Sequence, residues 1–325
     1  MEGRSAGEVG TIRRVNAPRI AIAPDPADWA AEAVRRGGAT PTDDPAGADA
    51  LVWVSERPGR PEPPERLGEL LRVHRGLRWV QLPFAGVEAF AAAGVLDSDR
   101  LWTCAKGCYA EPVAEHAVAL SLAGLRHLPE RVAARSWGRP AGTSLYERDV
   151  VILGGGGITV ELLRLLAPMR VRATVVRRQP DPLPGAARTV TPAELHDVLA
   201  GALVVYLALA LTPATRGVIG AAELARMERD AWLVNVARGG HVDTDALVAA
   251  LGAGEIGGAA LDVTDPEPLP DGHPLWDAPN CIITPHTADT WEMVRPRLVA
   301  RITDNVARFA AGRPLAGLVD PDAGY

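Results

Sequence analysis

Four consecutive glycines, Gly154 to Gly157, stand near the middle of the 325-residue chain. The segment DVVIL before them (149–153) predicts a buried strand, and the segment VELLRLLA after them (160–167) predicts a helix. A strand that passes through such a turn into a helix is typical of dinucleotide-binding folds, because the turn admits a pyrophosphate and the helix N-terminus supplies amide donors. The turn therefore predicts a Rossmann-type α/β sheet.

Within this turn, Gly154 would permit the tight bend, and Gly156 would let the backbone approach the pyrophosphate. Thr159 stands where the pattern usually has its third glycine. We expect its side chain to widen the contact between helix and strand and to weaken cofactor binding. A flexible glycine-rich loop is the alternative interpretation, which the flanking strand and helix disfavour.

Strand and helix patterns alternate along the rest of the chain. Segments that predict strands occur at 19–23, 50–54, 78–82, 149–153, 173–176, 203–208, 232–236, 258–262 and 281–284. Since 325 residues exceed what one core usually holds, we predict two doubly wound parallel-sheet α/β domains. The dinucleotide-binding domain would span 105–287. A flavodoxin-like substrate domain would combine 1–104 with 288–325, and the active site would lie in the cleft between them.

Composition disfavours several classes of protein. A formal net charge of -6 argues against nucleic-acid binding, which needs many basic side chains. The longest apolar stretch, 202–211, is too short to span a membrane, and the N-terminus lacks the apolar core of a signal peptide. The three cysteines form no paired metal-ligand pattern. We therefore expect a cytoplasmic protein that binds no nucleic acid, membrane or metal.

Further segments follow the glycine turn in a characteristic order: LTPATRGVIG (211–220), NVARGGHVDTDAL (235–247), ALDVTDPEPLP (260–270) and ITPHTA (283–288). With the turn, they resemble the signature blocks of the D-isomer-specific 2-hydroxyacid dehydrogenases, and the resemblance extends from about Arg78 onward. It implies an NAD(P)-dependent oxidoreductase that acts on a small 2-oxo or 2-hydroxy acid.

Reduction of a 2-oxo acid needs a cation for the carboxylate and a proton donor for the carbonyl oxygen. Arg238, followed by two glycines, offers a planar bidentate donor, and His286, on a loop after a strand, offers the proton. Glu267, between two prolines, would hydrogen-bond His286 and raise its pKa. The resemblance implies the same roles. A surface arginine and a structural histidine are the alternative interpretations. In the resembling formate dehydrogenases a glutamine replaces this glutamate, so Glu267 disfavours formate as substrate.

The end of the strand at 173–176 bears on cofactor choice. NAD-binding folds place an acid there for the ribose hydroxyls, whereas this chain has Arg177 and Arg178. Guanidinium groups suit the 2′-phosphate of NADP, as in the resembling glyoxylate and hydroxypyruvate reductases, so we predict NADP in preference to NAD. Two solvent-facing arginines are the alternative. The further cofactor contacts that the resemblance implies are Gly154, Gly156, Gly157, Ile158, Thr212, Ala237 and Asp262.

Other segments carry predictions about substrate and assembly. QLPFAGV (81–87) resembles the family's carboxylate-binding loop, so the N–H groups of Ala85 and Gly86 would bind substrate together with Arg238; an ordinary turn is the alternative. RSWGRP (135–140) resembles part of a dimer contact, so we expect a homodimer. A cofactor-sensing protein of the corepressor type, with little or no turnover, is the alternative function.

Overall fold

The computed structural model describes residues 17–55 and 62–321, which form two compact units. The first unit takes the described residues of Met1–Cys108 and of Trp291–Tyr325, and the second is Tyr109–Thr290. The outermost parts of the predicted substrate domain, 1–16 and 322–325, lie outside the described residues.

The first unit contains a parallel sheet of five strands in the order β2-β1-β3-β4-β5. Its strands are β1 (Arg19–Pro24), β2 (Thr40–Thr42), β3 (Ala50–Val54), β4 (Trp79–Gln81) and β5 (Leu101–Thr103), with helices α1 (Asp28–Arg36), α2 (Pro64–Val73) and α3 (Glu88–Ala92). The sequence did not predict β2 and β5, which are defined by their pairing with β1 and β4.

The second unit contains a parallel sheet of seven strands in the order β12-β11-β10-β9-β6-β7-β8. Its strands are β6 (Asp149–Leu153), β7 (Arg172–Val176), β8 (Arg188–Val190), β9 (Val204–Leu207), β10 (Trp232–Asn235), β11 (Gly258–Leu261) and β12 (Cys281–Ile283). Its helices are α4 (Ala110–Leu125), α5 (Leu128–Ala133), α6 (Gly157–Leu166), α7 (Leu195–Leu199), α8 (Ala221–Leu224) and α9 (Thr244–Ala253). Both sheets confirm the predicted fold class.

The position of β6 in this sheet determines where a ligand would bind. The chain proceeds outward from β6 to β7 and β8, then returns to β9 on its other side. Open α/β sheets bind ligands at the carboxyl ends of the strands, where the strand order reverses in this way. The glycine turn directly follows β6 and therefore lies at that point.

The core of the second unit occupies both faces of its sheet. In β9, Val205 and Leu207 belong to one apolar cluster, whereas Val204 and Tyr206 belong to the other. A parallel strand covered on both faces reads as a continuous apolar run without alternation. Such runs are the reason that the central strands could be predicted from the sequence. Truncating a buried leucine of this core, such as Leu207, to alanine would lower the free energy of unfolding by about 2–5 kcal/mol.

The last helix, α10 (Trp291–Ala311), returns to the first unit. Thr303 Oγ1 donates to Ala33 O of α1 at 3.1 Å, and buried Asn305 Nδ2 donates to Gln81 Oε1 of β4 at 2.9 Å. A buried amide that is satisfied in this way fixes the helix to the sheet. Within 17–55 and 62–321, no helix combines the length and apolarity needed to cross a bilayer.

Candidate active site

The glycine turn leaves an open surface at the start of α6. Gly154 has a φ of +112°, and a Cβ there would lie 2.2 Å from Ala208 O, so only glycine fits. A Cβ at Gly156, in contrast, would meet nothing within 4 Å. Gly156 is also the N-cap of α6, and no side chain caps the helix. Amide donors facing open space fit the pyrophosphate of a dinucleotide.

Thr159 is accommodated within this turn. Its side chain is buried, and its Oγ1 donates a hydrogen bond of 3.0 Å to Gly154 O. The residue expected to widen the contact between helix and strand therefore joins the first turn of α6 to the glycine that ends β6. Its effect on cofactor affinity stays a prediction.

Arg177 lies beside the glycine turn. A Cβ built on Gly155 would be 2.9 Å from Arg177 Cδ and 3.0 Å from its Nε, so the side chain runs across that glycine. Among the described residues, its guanidinium makes no hydrogen bond or ion pair. Arg178 follows it and is exposed. A cation is therefore held next to the surface that would receive a dinucleotide.

The turn that carries Arg238 is held by a residue that the sequence analysis did not single out. Buried Asn235 donates from Nδ2 to Arg238 O at 2.9 Å and accepts from Ala237 N at 3.1 Å. A Cβ on Gly239 would lie 1.9 Å from the carbonyl of Thr264. Gly239 thus lets the Arg238 turn pack against the loop that carries Glu267.

His286 and Glu267 are in direct contact. His286 Nδ1 lies 2.5 Å from Glu267 Oε1, with 46% and 38% of the two side chains exposed. His286 has a φ of +52°, and its N–H donates to Asp262 O at 2.8 Å and to Thr284 O at 2.9 Å. The loop therefore presents the half-exposed imidazole of His286, with Nδ1 hydrogen-bonded to the Glu267 carboxylate.

The pKa values of His286 and Glu267 shift in opposite directions from their ordinary values. The hydrogen bond that His286 Nδ1 donates to Glu267 Oε1 raises the pKa of His286 and lowers the pKa of Glu267. The nearby Arg238 guanidinium lowers the pKa of both groups, which puts its charge close to the pair. Both shifts favour a protonated imidazole paired with an ionised carboxylate.

Asp262, predicted as a cofactor contact, is only 2% exposed. Its carboxylate accepts from Thr284 Oγ1 at 2.6 Å, from Thr287 N at 2.9 Å and from Ala288 N at 3.1 Å. Burial raises its pKa, but these bonds and one from His116 lower it overall. Asp262 thus supports the His286 loop, and a contact with the cofactor stays a prediction.

The remaining predicted residues fall on two loops. Thr212 follows β9, and its N–H donates to Thr215 Oγ1 at 2.8 Å. Ala85 and Gly86 lie in the first unit, half-buried in the loop after β4, where Phe84 O accepts from Ala105 N at 2.8 Å. Their role toward a substrate stays a prediction. In the described part of the chain, no group of three acidic, histidine or cysteine side chains could hold a metal ion.

Comparisons with known proteins show which family this chain resembles. A family model described as D-isomer specific 2-hydroxyacid dehydrogenase, NAD binding domain, matches residues 117–288, slightly over half of the chain. An uncharacterized protein from the proB 3′ region of Corynebacterium melassecola is 39% identical over 90% of this chain and 95% of its own length. The glyoxylate/hydroxypyruvate reductase A of Photorhabdus laumondii is 30% identical over 85% of this chain and 87% of its own.

A solved structure supports the same relation. A D-isomer specific 2-hydroxyacid dehydrogenase from Xanthobacter autotrophicus Py2, in complex with NADPH and MES, matches with a TM-score of 0.81 and 28% identity. The match covers 95% of this chain and 100% of that one, so it includes both units.

Proposed function

This chain belongs to the D-isomer-specific 2-hydroxyacid dehydrogenase family, and from that premise we propose that it reduces small 2-oxo acids to D-2-hydroxy acids. The observation that carries the proposal is the contact between His286 Nδ1 and Glu267 Oε1 with Arg238 beside it. The Photorhabdus relative is a glyoxylate/hydroxypyruvate reductase, which favours substrates of that size.

Each residue of this group has one task in the reaction. Arg238 binds the substrate carboxylate with its planar guanidinium. Because Nδ1 of His286 is bound to Glu267, Nε2 is the ring nitrogen that donates a proton to the carbonyl oxygen. Glu267 orients the ring through the hydrogen bond to Nδ1 and, by raising the pKa of His286, favours its protonated form. The nicotinamide, when bound, supplies the hydride. In the oxidative direction, neutral His286 accepts the hydroxyl proton.

The second unit would hold the cofactor at the glycine turn. The N–H groups at Gly157 and Ile158, at the start of α6, would bind the pyrophosphate, where Gly156 leaves room for it. Arg177 and Arg178 would bind the 2′-phosphate of NADPH, which makes NADPH the preferred cofactor. The Xanthobacter structure was solved with NADPH.

The cofactor preference is tested by comparing kcat/KM for NADPH and NADH in the wild type and in Arg177→Asp. We expect the wild type to prefer NADPH and the variant to lose that preference, because a carboxylate repels the phosphate. Arg188→Asp, at an exposed position on β8, is a matched control for the charge change. Wild-type preference for NADH would refute the assignment.

The activity itself is tested by following NADPH oxidation with glyoxylate, hydroxypyruvate and phenylpyruvate. We expect turnover of at least one of them, and a chiral product in the D configuration. A cofactor sensor would bind NADPH, detected by its fluorescence, yet turn over none of the three acids. That outcome would refute the proposed function in favour of the corepressor-type alternative.

We also propose a homodimer that buries the segment 128–142. All of these residues are exposed in the single chain, and they include Trp137 at 100% exposure and Val132 at 79%. Exposed large apolar side chains in one segment indicate a protein interface. Light scattering at micromolar concentration should give twice the chain mass, and Trp137→Ser should shift the mass toward that of the monomer. A monomeric wild type would contradict the dimer.

A further inference from the structure

A polar cluster lies behind the loop that carries His286. His116, on α4, has Nε2 3.1 Å from Thr284 Oγ1 and 3.3 Å from Asp262 Oδ1. The histidine side chain is 22% exposed and that of Asp262 is 1% exposed. This side chain therefore joins α4 to the ends of β11 and β12.

The hydrogen-bonding pattern defines which atom carries the proton. The single hydroxyl proton of Thr284 points to Asp262 Oδ1, at 2.6 Å. Toward His116, the Thr284 oxygen and the Asp262 carboxylate can therefore only accept. Nε2 of His116 must be protonated, whether the ring is neutral or cationic. His116 thus acts as a donor to two acceptors.

The acceptors hold the backbone on both sides of His286. The carboxylate of Asp262 accepts from Thr287 N and Ala288 N, and its main-chain oxygen accepts from His286 N. His286 has a left-handed φ of +52°, a conformation that a non-glycine residue keeps only when its surroundings enforce it. Asp262 supplies these constraints, and His116 orients Asp262.

We propose that His116 is a positioning residue, which fixes the His286 loop by donating Nε2–H to Thr284 and Asp262 and so keeps His286 Nδ1 on Glu267. Its kinetic consequence rests on the proposed function, whereas its structural consequence does not. His116 touches no reacting atom in this scheme, because it acts only through Asp262 and Thr284.

Loosening the cluster of His116, Thr284 and Asp262 should change the pKa of His286. The charged groups near His286 are Glu267, Arg238, Asp262 and Asp289. The hydrogen bond that His286 donates to Glu267 is the main cause of the raised pKa of His286, and the charge of Arg238 opposes it. If the loop moves, that bond lengthens. The pKa of His286 then falls toward its ordinary value, while the four charges themselves are unchanged.

The experiment compares His116→Gln with His116→Leu in the full chain. Glutamine can place an amide N–H near the position of Nε2, whereas leucine has a similar volume and no donor. The histidine rings are titrated by NMR in protein labelled at histidine, without cofactor. Of the seven histidines, His286 is assigned from the signal that disappears in His286→Asn. We expect a lower His286 pKa in the leucine variant and recovery of most of the wild-type value in the glutamine variant.

The same variants are then compared in reduction of the best 2-oxo acid. In His116→Leu we expect kcat to fall by about tenfold, since a small displacement of a reacting group is costly, with the Kd for NADPH within about twofold of wild type. Most of this loss should be recovered in His116→Gln. The falling limb of the pH profile should move to lower pH in the leucine variant only.

Clear results would overturn the proposal. A folded His116→Leu protein with the wild-type His286 pKa excludes the positioning role, and a glutamine variant that behaves like the leucine variant excludes the donor role. If His116→Leu does not fold, His116→Met, which also offers no donor, takes its place, and an unchanged His286 pKa there excludes the positioning role. If the wild type turns over no 2-oxo acid, the proposed function fails, and the NMR titration still decides the role of His116.

Discussion

Replacing Glu267 by glutamine removes the charge beside His286 but keeps an oxygen that can accept from Nδ1. A hydrogen bond to a charged group contributes about 1.5–3 kcal/mol. Because 46% of His286 and 38% of Glu267 are exposed, solvent screens this pair, and the lower end of that range applies. About 1.5 kcal/mol corresponds to roughly a tenfold change in the fraction of protonated His286 at high pH.

The sign of the pH effect follows from the direction of the shift. Glu267 raises the pKa of His286, so the wild-type enzyme keeps its acid protonated to higher pH. The reductive kcat/KM of Glu267→Gln should therefore equal that of wild type at low pH, where both imidazoles are protonated. It should fall about tenfold below wild type at high pH. The oxidative rate, which needs neutral His286, should show the opposite trend.

The assay is the pH profile of NADPH oxidation at saturating cofactor, for wild type, Glu267→Gln and Glu255→Gln. Glu255 is exposed and lies outside the site, so its variant controls for the loss of one negative charge. A ratio of wild type to Glu267→Gln that is constant across pH would refute this reasoning, because the carboxylate would then not control protonation of His286.

Three further substitutions test individual steps. Gly156→Ala should leave thermal stability unchanged, since the added Cβ meets no atom within 4 Å. It should weaken NADPH binding by about tenfold or more, because the backbone could no longer approach the pyrophosphate closely. Gly252→Ala, which also has open space around it, is the control. Gly239→Ala should lower the free energy of unfolding by about 1–3 kcal/mol in urea titrations, because its Cβ meets the Thr264 carbonyl. Arg238→Lys should lower kcat/KM for 2-oxo acids by about tenfold or more without changing the Kd for NADPH. Wild-type NADPH affinity in Gly156→Ala, a wild-type free energy of unfolding in Gly239→Ala, or a wild-type kcat/KM in Arg238→Lys would contradict the corresponding step.

The sequence predicted those parts of the fold that depend on local pattern. The central strands β6, β9 and β10 are buried on both faces and read as continuous apolar runs. The strand β8 was missed, because it is defined by its pairing with β7. Pairing between distant segments is a property of the folded sheet.

In the candidate site, too, features with a local sequence pattern could be predicted, whereas contacts between distant segments could not. Arg238, Glu267 and His286 could be proposed from the sequence because each lies in a recognisable block. The supporting contacts of Asn235, and of His116 with Asp262, could not. They arise because strands β10, β11 and β12 are neighbours and α4 packs against their ends. Polar residues that satisfy buried groups carry no pattern of their own.

Acid catalysis by His286 is tested most directly by measuring kcat and NADPH affinity together in His286→Ala. We predict that kcat for the preferred 2-oxo acid falls by about 10²-fold or more, because the proton donor is lost, while the Kd for NADPH stays within about twofold of wild type. Turnover close to that of wild type would contradict acid catalysis by His286.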